Sequence, residues 1–471
     1  MKYLYGILLS LLIIGCGNNR SSNDTATYFG GHIIKPNSKF VLLYKDENLV
    51  DSIELDDNNR FIITLDSVED GLYNFYHEPE YQYVHIEKGD SVLMRLNTIE
   101  FDESLVFSGK GAVKNNFLID MYLMHEKEDR YINGLYSLPH DQFSKKIDSL
   151  YSIKQEKYND LVANNDLSDH ATKIARATVD CRYYSLKERY QYLHRNKLGL
   201  DHFDVIPKDF YAYRKDINLN DKELSYFRPY RRYLLTHISN LAYNHCAQEI
   251  SSDNTLNYNT RRLELIDSML KIDDLKNDLL RYVAYEFMLE NQDIDQNETF
   301  LIKFFKTSTS NKHDQEINQL YHSIRAMQPG QKLPYVRIAN AGSNITDLDK
   351  MRSDRITVYY FWSLKQKRHM KNVLRKVKKY KKQYPTVDFV GINLDGDHGA
   401  WLKGLSDYQL DGEDQLRITD YDKTSKDLVI NSLNKLIVVD GQGTIVEGFA
   451  NIHDLNRLKV FRENDMVAKT Y

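Results

Sequence analysis

From Tyr28 to about Ala112, apolar and polar positions alternate with a period of two. The runs Lys39-Phe-Val-Leu-Leu-Tyr44, Leu49-Val-Asp-Ser-Ile-Glu-Leu55, Phe61-Ile-Ile-Thr-Leu65 and Ser91-Val-Leu-Met-Arg-Leu96 are bounded by turn clusters such as Asp56-Asp-Asn-Asn59 and Lys88-Gly-Asp90. Short strands separated by polar turns predict an antiparallel sandwich or barrel. From residue 113 to about 327 the period changes. Leu263, Ile266, Met269, Ile272, Leu275 and Leu279 recur at three- and four-residue steps, and Pro207 and Pro229 are the only prolines between Pro139 and Pro329. That pattern predicts six to eight long helices packed as a bundle. Gln328-Pro-Gly-Gln-Lys-Leu-Pro334 breaks it. Beyond lie a strand (Ile356–Trp362), a helix (Arg368–Gln383), a strand (Val387–Leu394), a helix around Trp401, a strand near Leu416–Ile418 and a short helix near Leu428. A hairpin over Leu436–Val446 and a final helix complete the chain. This order predicts a mixed sheet covered on both faces. The fold class is therefore multidomain: an all-β N-terminal domain (28–112), an α-helical middle (113–327) and an α/β C-terminal domain (328–471).

The first residues form a separate pattern. Lys2 precedes an apolar run, Leu4–Ile14, interrupted only by Gly6 and Ser10. Eleven helical residues rise about 16 Å, too little for a bilayer core of about 30 Å. The length suits the apolar part of a signal peptide. It ends Ile13-Ile14-Gly15-Cys16, which resembles the lipobox of bacterial lipoproteins. The resemblance implies a signal peptide over 1–15, cleavage before Cys16, a diacylglycerol thioether on the Cys16 sulfur and an acylated amine. Several acyl chains at about 0.8 kcal/mol per buried CH₂ give a stable anchor. An ordinary signal peptide with an incidental cysteine is the plainer alternative. Residues 16–27 then read as a lipidated cysteine and flexible leash. The localisation that follows is the cell envelope, anchored to the inner or outer membrane and facing the periplasm.

Composition narrows the partners. Lys plus Arg is 63 against 67 for Asp plus Glu, a net charge of −4, so the chain as a whole is not built for nucleic acid. With Cys16 lipidated, only Cys181 and Cys246 remain, in no Cys-x-x-Cys motif; a disulfide between them and two buried thiols are both open. His237 and His245 could share a helix face, but no carboxylate stands nearby at ligand spacing, so no metal and no other cofactor is assigned. His125-Glu126 lacks the second histidine of a zincin, and there is no Gly-x-Ser-x-Gly elbow or phosphate loop. Asp395-Gly-Asp397 reads as a turn. The 35 tyrosines against 2 tryptophans read as half-buried ring positions or, alternatively, as a groove for glycan or peptide.

The segment Asp51–Phe61, with Gly71-Leu-Tyr73 and Ile86–Ser91, resembles a small β-domain of unknown function that precedes thioredoxin-like modules in Bacteroidota-type envelope lipoproteins. The last 140 residues or so resemble the thioredoxin-like disulfide reductases of the TlpA and alkyl-hydroperoxide-reductase superfamily. Tyr360-Phe361-Trp362, Val390-Gly391-Ile392-Asn393-Leu394-Asp395 and Val439-Asp440-Gly441-Gln442-Gly443 carry the likeness. It implies a Trp-Cys-x-x-Cys motif at a helix start, whose first thiolate attacks a partner disulfide, and a cis-proline facing the substrate. In register, the two cysteines fall on Gln366 and His369 and the proline on Asn434. No cysteine follows Cys246 and no proline follows Pro385, so the redox centre is degenerate and no catalytic residue is assigned.

The helix beside these positions is crowded with Lys and Arg opposite the apolar stripe Met370, Val373, Leu374, Val377 and Tyr380. It reads as a solvated face or as a surface for an anionic partner, with Lys376, Lys379 and Lys382 as contacts. Three functions stand: a lipid-anchored envelope protein whose thioredoxin-like domain serves binding or scaffolding with an envelope partner; a thiol-disulfide oxidoreductase; and a tyrosine-rich glycan or peptide binder.

Overall fold

The computed structural model describes residues 26–200, 206–246, 254–351, 353–458 and 461. The signal peptide, Cys16 and all but the end of the leash lie outside these residues, as does most of the final helix. The chain divides into two compact units, Met1–Asn240 and Leu241–Tyr471.

The first unit opens with eight strands: β1 (Thr27–Ile34), β2 (Phe40–Lys45), β3 (Asn48–Glu54), β4 (Arg60–Leu65), β5 (Gly71–His77), β6 (Glu80–Ile86), β7 (Ser91–Asn97) and β8 (Val106–Ser108), with a short helix α1 (Phe101–Ser104) before β8. They form two four-stranded sheets, β4-β1-β7-β8 and β3-β2-β5-β6. Period-two burial is plain in β5, where Gly71, Tyr73, Phe75 and His77 are buried and the residues between them are not. Phe29, Phe61, Phe75, Phe101 and Phe107 fill the core, Phe29 meeting Phe61 edge-on at 5.4 Å. One pairing departs from the antiparallel expectation: β1 and β7 run parallel, Tyr28 opposite Ser91. The chain leaves β1 through the other sheet and returns beside it, a crossover that local alternation does not encode.

Helices α2 (Ala112–Leu135), α3 (His140–Asn164) and α4 (Asp169–Leu198) follow and pack on one another; a 3₁₀ segment, Lys208–Asp216, leads to α5 (Arg228–Cys246). The second unit holds α6 (Asn254–Met269), α7 (Asp273–Glu290), α8 (Ile294–Thr307) and α9 (Asp314–Ala326), which pack among themselves. The helical middle that the periodicity predicts is present, and its helices are shared between the two units. The division between the units falls within α5, and an apolar stripe states which face of a helix is buried, not what covers it. Cys181 and Cys246 are buried thiols, and no disulfide forms among the described residues.

The C-terminal part is built from β9 (Arg337–Ala339), β10 (Ile345–Asp347), β11 (Thr357–Trp362), α10 (Lys367–Gln383), β12 (Asp388–Asn393), α11 (His398–Asp407), β13 (Gln415–Ile418), α12 (Tyr421–Asp427), β14 (Lys435–Val439) and β15 (Ile445–Asn451). The seven-stranded sheet has the order β10-β9-β13-β12-β11-β14-β15; β11, β12 and β13 are parallel, and β14 runs antiparallel to β11. Every residue of β11 and of β14 is buried, as central strands covered on both faces require. Met370, Val373, Val377 and Tyr380 form the buried stripe of α10, leaving its cations outward.

In the first unit a charge is buried deliberately. The Glu188 carboxylate on α4 has no solvent exposure. It accepts hydrogen bonds from Arg214 Nε (2.8 Å), Tyr213 OH (2.8 Å), His237 Nδ1 (2.9 Å) and Asn240 Nδ2 (2.7 Å). A carboxylate only accepts, so His237 carries its hydrogen on Nδ1. Burial raises the Glu188 pKa, but the hydrogen bonds and charge of His237 and Arg214 outweigh it and hold the group at about 2. Because that lies below the ordinary value of 4.5, the stabilisation is complete above 4.5 and is lost as the pH falls toward 2. Glu188→Gln is expected to destabilise the protein at neutral pH by about 3 kcal/mol. Denaturant melts of both proteins at neutral pH and near pH 3 should show the gap narrowing in acid; an equal gap at both contradicts this account.

Candidate functional site

The loop after β11 is fixed from below and from the side. Trp362 turns inward, and its Nε1 donates to Gln415 Oε1 (3.0 Å), whose Nε2 donates to the Tyr360 hydroxyl (2.8 Å). Burial pushes the Tyr360 phenol up to about 12, so it stays neutral. Between them lies Gly391: a Cβ there would run into the Gln415 amide oxygen and meet the Tyr360 ring at 2.7 Å, so a side chain does not fit. From the end of β12, Asp395 accepts from Ser363 Oγ (2.7 Å), the Leu364 N–H (2.6 Å) and Asn393 Nδ2 (3.1 Å). Ser363 Oγ in turn accepts from the Lys365 N–H at 3.1 Å. The start of α10 is therefore positioned by a carboxylate that the sequence showed as the end of a strand motif and part of a turn, with no such role.

Gln366 is the N-cap residue of α10 and His369 lies in its first turn. His369 Nε2 stands 3.0 Å from Asn434 Oδ1, so with the amide oxygen accepting, the hydrogen sits on Nε2. His369 Nδ1 is then a buried acceptor without a partner. Asn434 comes from the loop before β14. Lys435 holds that loop: its buried Nζ donates to the carbonyls of Leu428 (2.7 Å) and Val429 (3.1 Å) and lies 4.1 Å above the Phe449 ring. Burial lowers the Lys435 pKa to about 7.

Gln366, His369 and Asn434 thus meet at one concave cleft of roughly 730 Å³. Its other walls are Lys365, Lys367, Arg368, Asn372, Arg375, Lys376 and His453. Lys376 Nζ donates to His453 Nδ1 at 2.8 Å. Among the described residues, five cations and no carboxylate line the cleft, and the positive end of the helix dipole adds to their field. Without sulfur the site has no thiolate to offer; it can bind and neutralise an anion. Of the three lysines singled out from the sequence, Lys376 lines the cleft, whereas Lys379 and Lys382 are exposed on α10 outside it. The cations at 365, 367, 368 and 375 were legible only as part of a crowded helix, and His453, 77 residues from Lys376, carried no signal.

A family described as Thioredoxin-like matches residues 354–445. Among solved structures, the thioredoxin domain of a thiol-disulfide oxidoreductase from Bacteroides vulgatus is 17% identical, with 30% of this chain and 97% of that one covered and a TM-score of 0.23. A thiol:disulfide interchange protein from a Bacteroides species is 17% identical (26% and 80% covered, TM-score 0.21). A thiol peroxidase from Chromobacterium violaceum is 13% identical (30% and 88% covered, TM-score 0.24). No curated protein matches the chain. The chain carries a thioredoxin-like domain at its C-terminus, behind a β-sheet region and a helical middle.

Proposed function

We propose that this is a lipid-anchored cell-envelope protein whose thioredoxin-like domain has given up disulfide exchange and serves as a binding module for an anionic partner. The observation that carries the reading is the cleft at the start of α10, where among the described residues five cations and no carboxylate surround Gln366 and His369. Like charges gathered on one concave wall repel, and an anion relieves that repulsion. Disulfide exchange has no chemical basis here, since no cysteine follows Cys246 and no proline follows Pro385. The lipobox-like Ile13-Ile14-Gly15-Cys16 supports the anchor, and among the described residues no helix is long and apolar enough to cross a membrane.

Binding to vesicles containing phosphatidylglycerol and to a glutamate-rich peptide tests the cleft. Replacing Arg368, Arg375 and Lys376 with Gln should weaken binding on the order of a hundredfold, at about 1 kcal/mol per cation, and flatten its dependence on salt. The Lys379→Gln, Lys382→Gln pair lies outside the cleft and should change binding far less. Equal losses from the two sets place the contact on the helix face instead, and no loss from either ends the proposal.

The anchor has its own test. Cys16→Ser removes the acceptor sulfur and should leave an uncleaved or mislocalised precursor; detergent-phase recovery equal to wild type contradicts lipidation.

The lost redox centre can be tested by restoring it. Gln366→Cys with His369→Cys should close an internal disulfide in mild oxidant, since residues three apart at a helix start approach the Cβ separation of about 3.5–4.5 Å that the bridge needs. Asn434→Pro should be required in addition for turnover on a protein disulfide. A folded double variant that keeps two titratable thiols at these positions shows that the register is wrong.

A further inference from the structure

Strand β6 is an outer strand of its sheet, and its hydrogen-bonding edge is only partly covered. In the β5–β6 hairpin, His77 pairs with Glu80 across a two-residue turn, so the backbone groups of residues 81, 83 and 85 point away from β5. At residue 85 those groups are taken. The His85 N–H donates to Asn115 Oδ1 (2.6 Å), and Asn115 Nδ2 donates to the His85 carbonyl (2.9 Å). The Asn115 amide does here what the peptide group of a neighbouring strand would do. At residue 83 the N–H is met by the neighbouring Gln82 Oε1 (3.0 Å). Among the described residues, the Tyr83 carbonyl and both backbone groups of Tyr81 have no such partner.

This open stretch runs along a cavity of roughly 440 Å³, within the size range of ligand sites, whose wall includes residues 80 to 83 consecutively. Tyr81, Tyr83 and Tyr122 supply aromatic surface. On the helical side, Arg182 pairs with Asp129 yet leaves its buried Nε unpartnered, and the buried His125 Nε2 is also unpartnered. Arg228 reaches the Tyr81 hydroxyl, and its N–H donates to the Tyr83 hydroxyl at 3.0 Å. Three arginines face four carboxylates in the lining, so the cavity does not select for net charge and is unlike the cationic cleft at α10.

We propose that this cavity is a docking site for an extended peptide segment, which continues the β3-β2-β5-β6 sheet by pairing with Tyr81 and the Tyr83 carbonyl while its side chains contact the Tyr and Arg walls. The interrupted ladder points to a peptide: it leaves a donor and two acceptors at strand spacing, and the flanking residue is already satisfied by a peptide-like amide. The balanced lining fits a chain of mixed polarity better than a polyanion.

A displayed library of random peptides, panned against the full chain in detergent, supplies the probe. Selected peptides should slow hydrogen exchange of the Tyr81 amide in the wild-type protein. Tyr81→Pro removes one outward N–H without touching the β5 pairing and should bind those peptides about tenfold more weakly than Tyr81→Ala, which removes only the ring. The exchange measurement stands even if the proline variant fails to fold. The proposal is overturned if no peptide is enriched, if the enriched peptides leave Tyr81 exchange unchanged, or if Tyr81→Pro and Tyr81→Ala lose binding equally. It is also overturned if the cavity instead takes glycans on an array through the Tyr81 ring alone.

Discussion

A strand buried on both faces must release its chain at a point where the next backbone groups find partners, and at the end of β11 those partners come from one carboxylate. Asp395 accepts from Ser363, from the Leu364 N–H and from Asn393, which ties the end of β12 to the loop that begins α10. Beneath it the Tyr360–Gln415–Trp362 hydrogen-bond chain is closed to water, and the missing side chain at Gly391 is what lets it close. Polar groups placed this deep are costly unless paired, so the satisfied network leaves the loop one arrangement. The helix start, the cleft and the approach of His369 to Asn434 all follow from that arrangement.

The same geometry bears on what a thioredoxin-like domain can become without its cysteines. A helix start with cations around it stabilises negative charge, whether that charge is a thiolate on the chain or an anion brought by a partner. Neither Gln366 nor His369 can supply a thiolate for that field to stabilise, and the Asn434 side chain is engaged by His369.

Much of this was legible in the sequence, and the rest was not for identifiable reasons. The all-β, helical and α/β segments show as changes of period, because burial imposes period two on strands and three to four on helices. Glu80-Tyr-Gln-Tyr-Val-His-Ile86 shows no such alternation, since Tyr83 and His85 on its outer side meet Phe227 and His170 rather than solvent. Which helices of the middle pack on which is a matter of three dimensions that the period does not record. The juxtaposition of Gln366, His369 and Asn434 came from resemblance, which carries register across 65 residues. Asp395, Lys435 and His453 act over separations that no local pattern records.

The two units deal with charge in opposite ways, and the contrast separates structure from function. Glu188 is wholly buried, and its carboxylate is fully matched by Arg214, His237, Tyr213 and Asn240. Such a network has no remaining capacity to bind anything; its cost was met within the fold, and its role is to fix α4, the 3₁₀ segment and α5 against one another. The cleft at α10 is the reverse. Among the described residues its lining holds five cations and no carboxylate, while Lys381 of the same helix pairs with Asp414 outside it. Like charges kept together in a concave wall raise the local potential, whereas the Lys381–Asp414 pair of the same helix cancels its own.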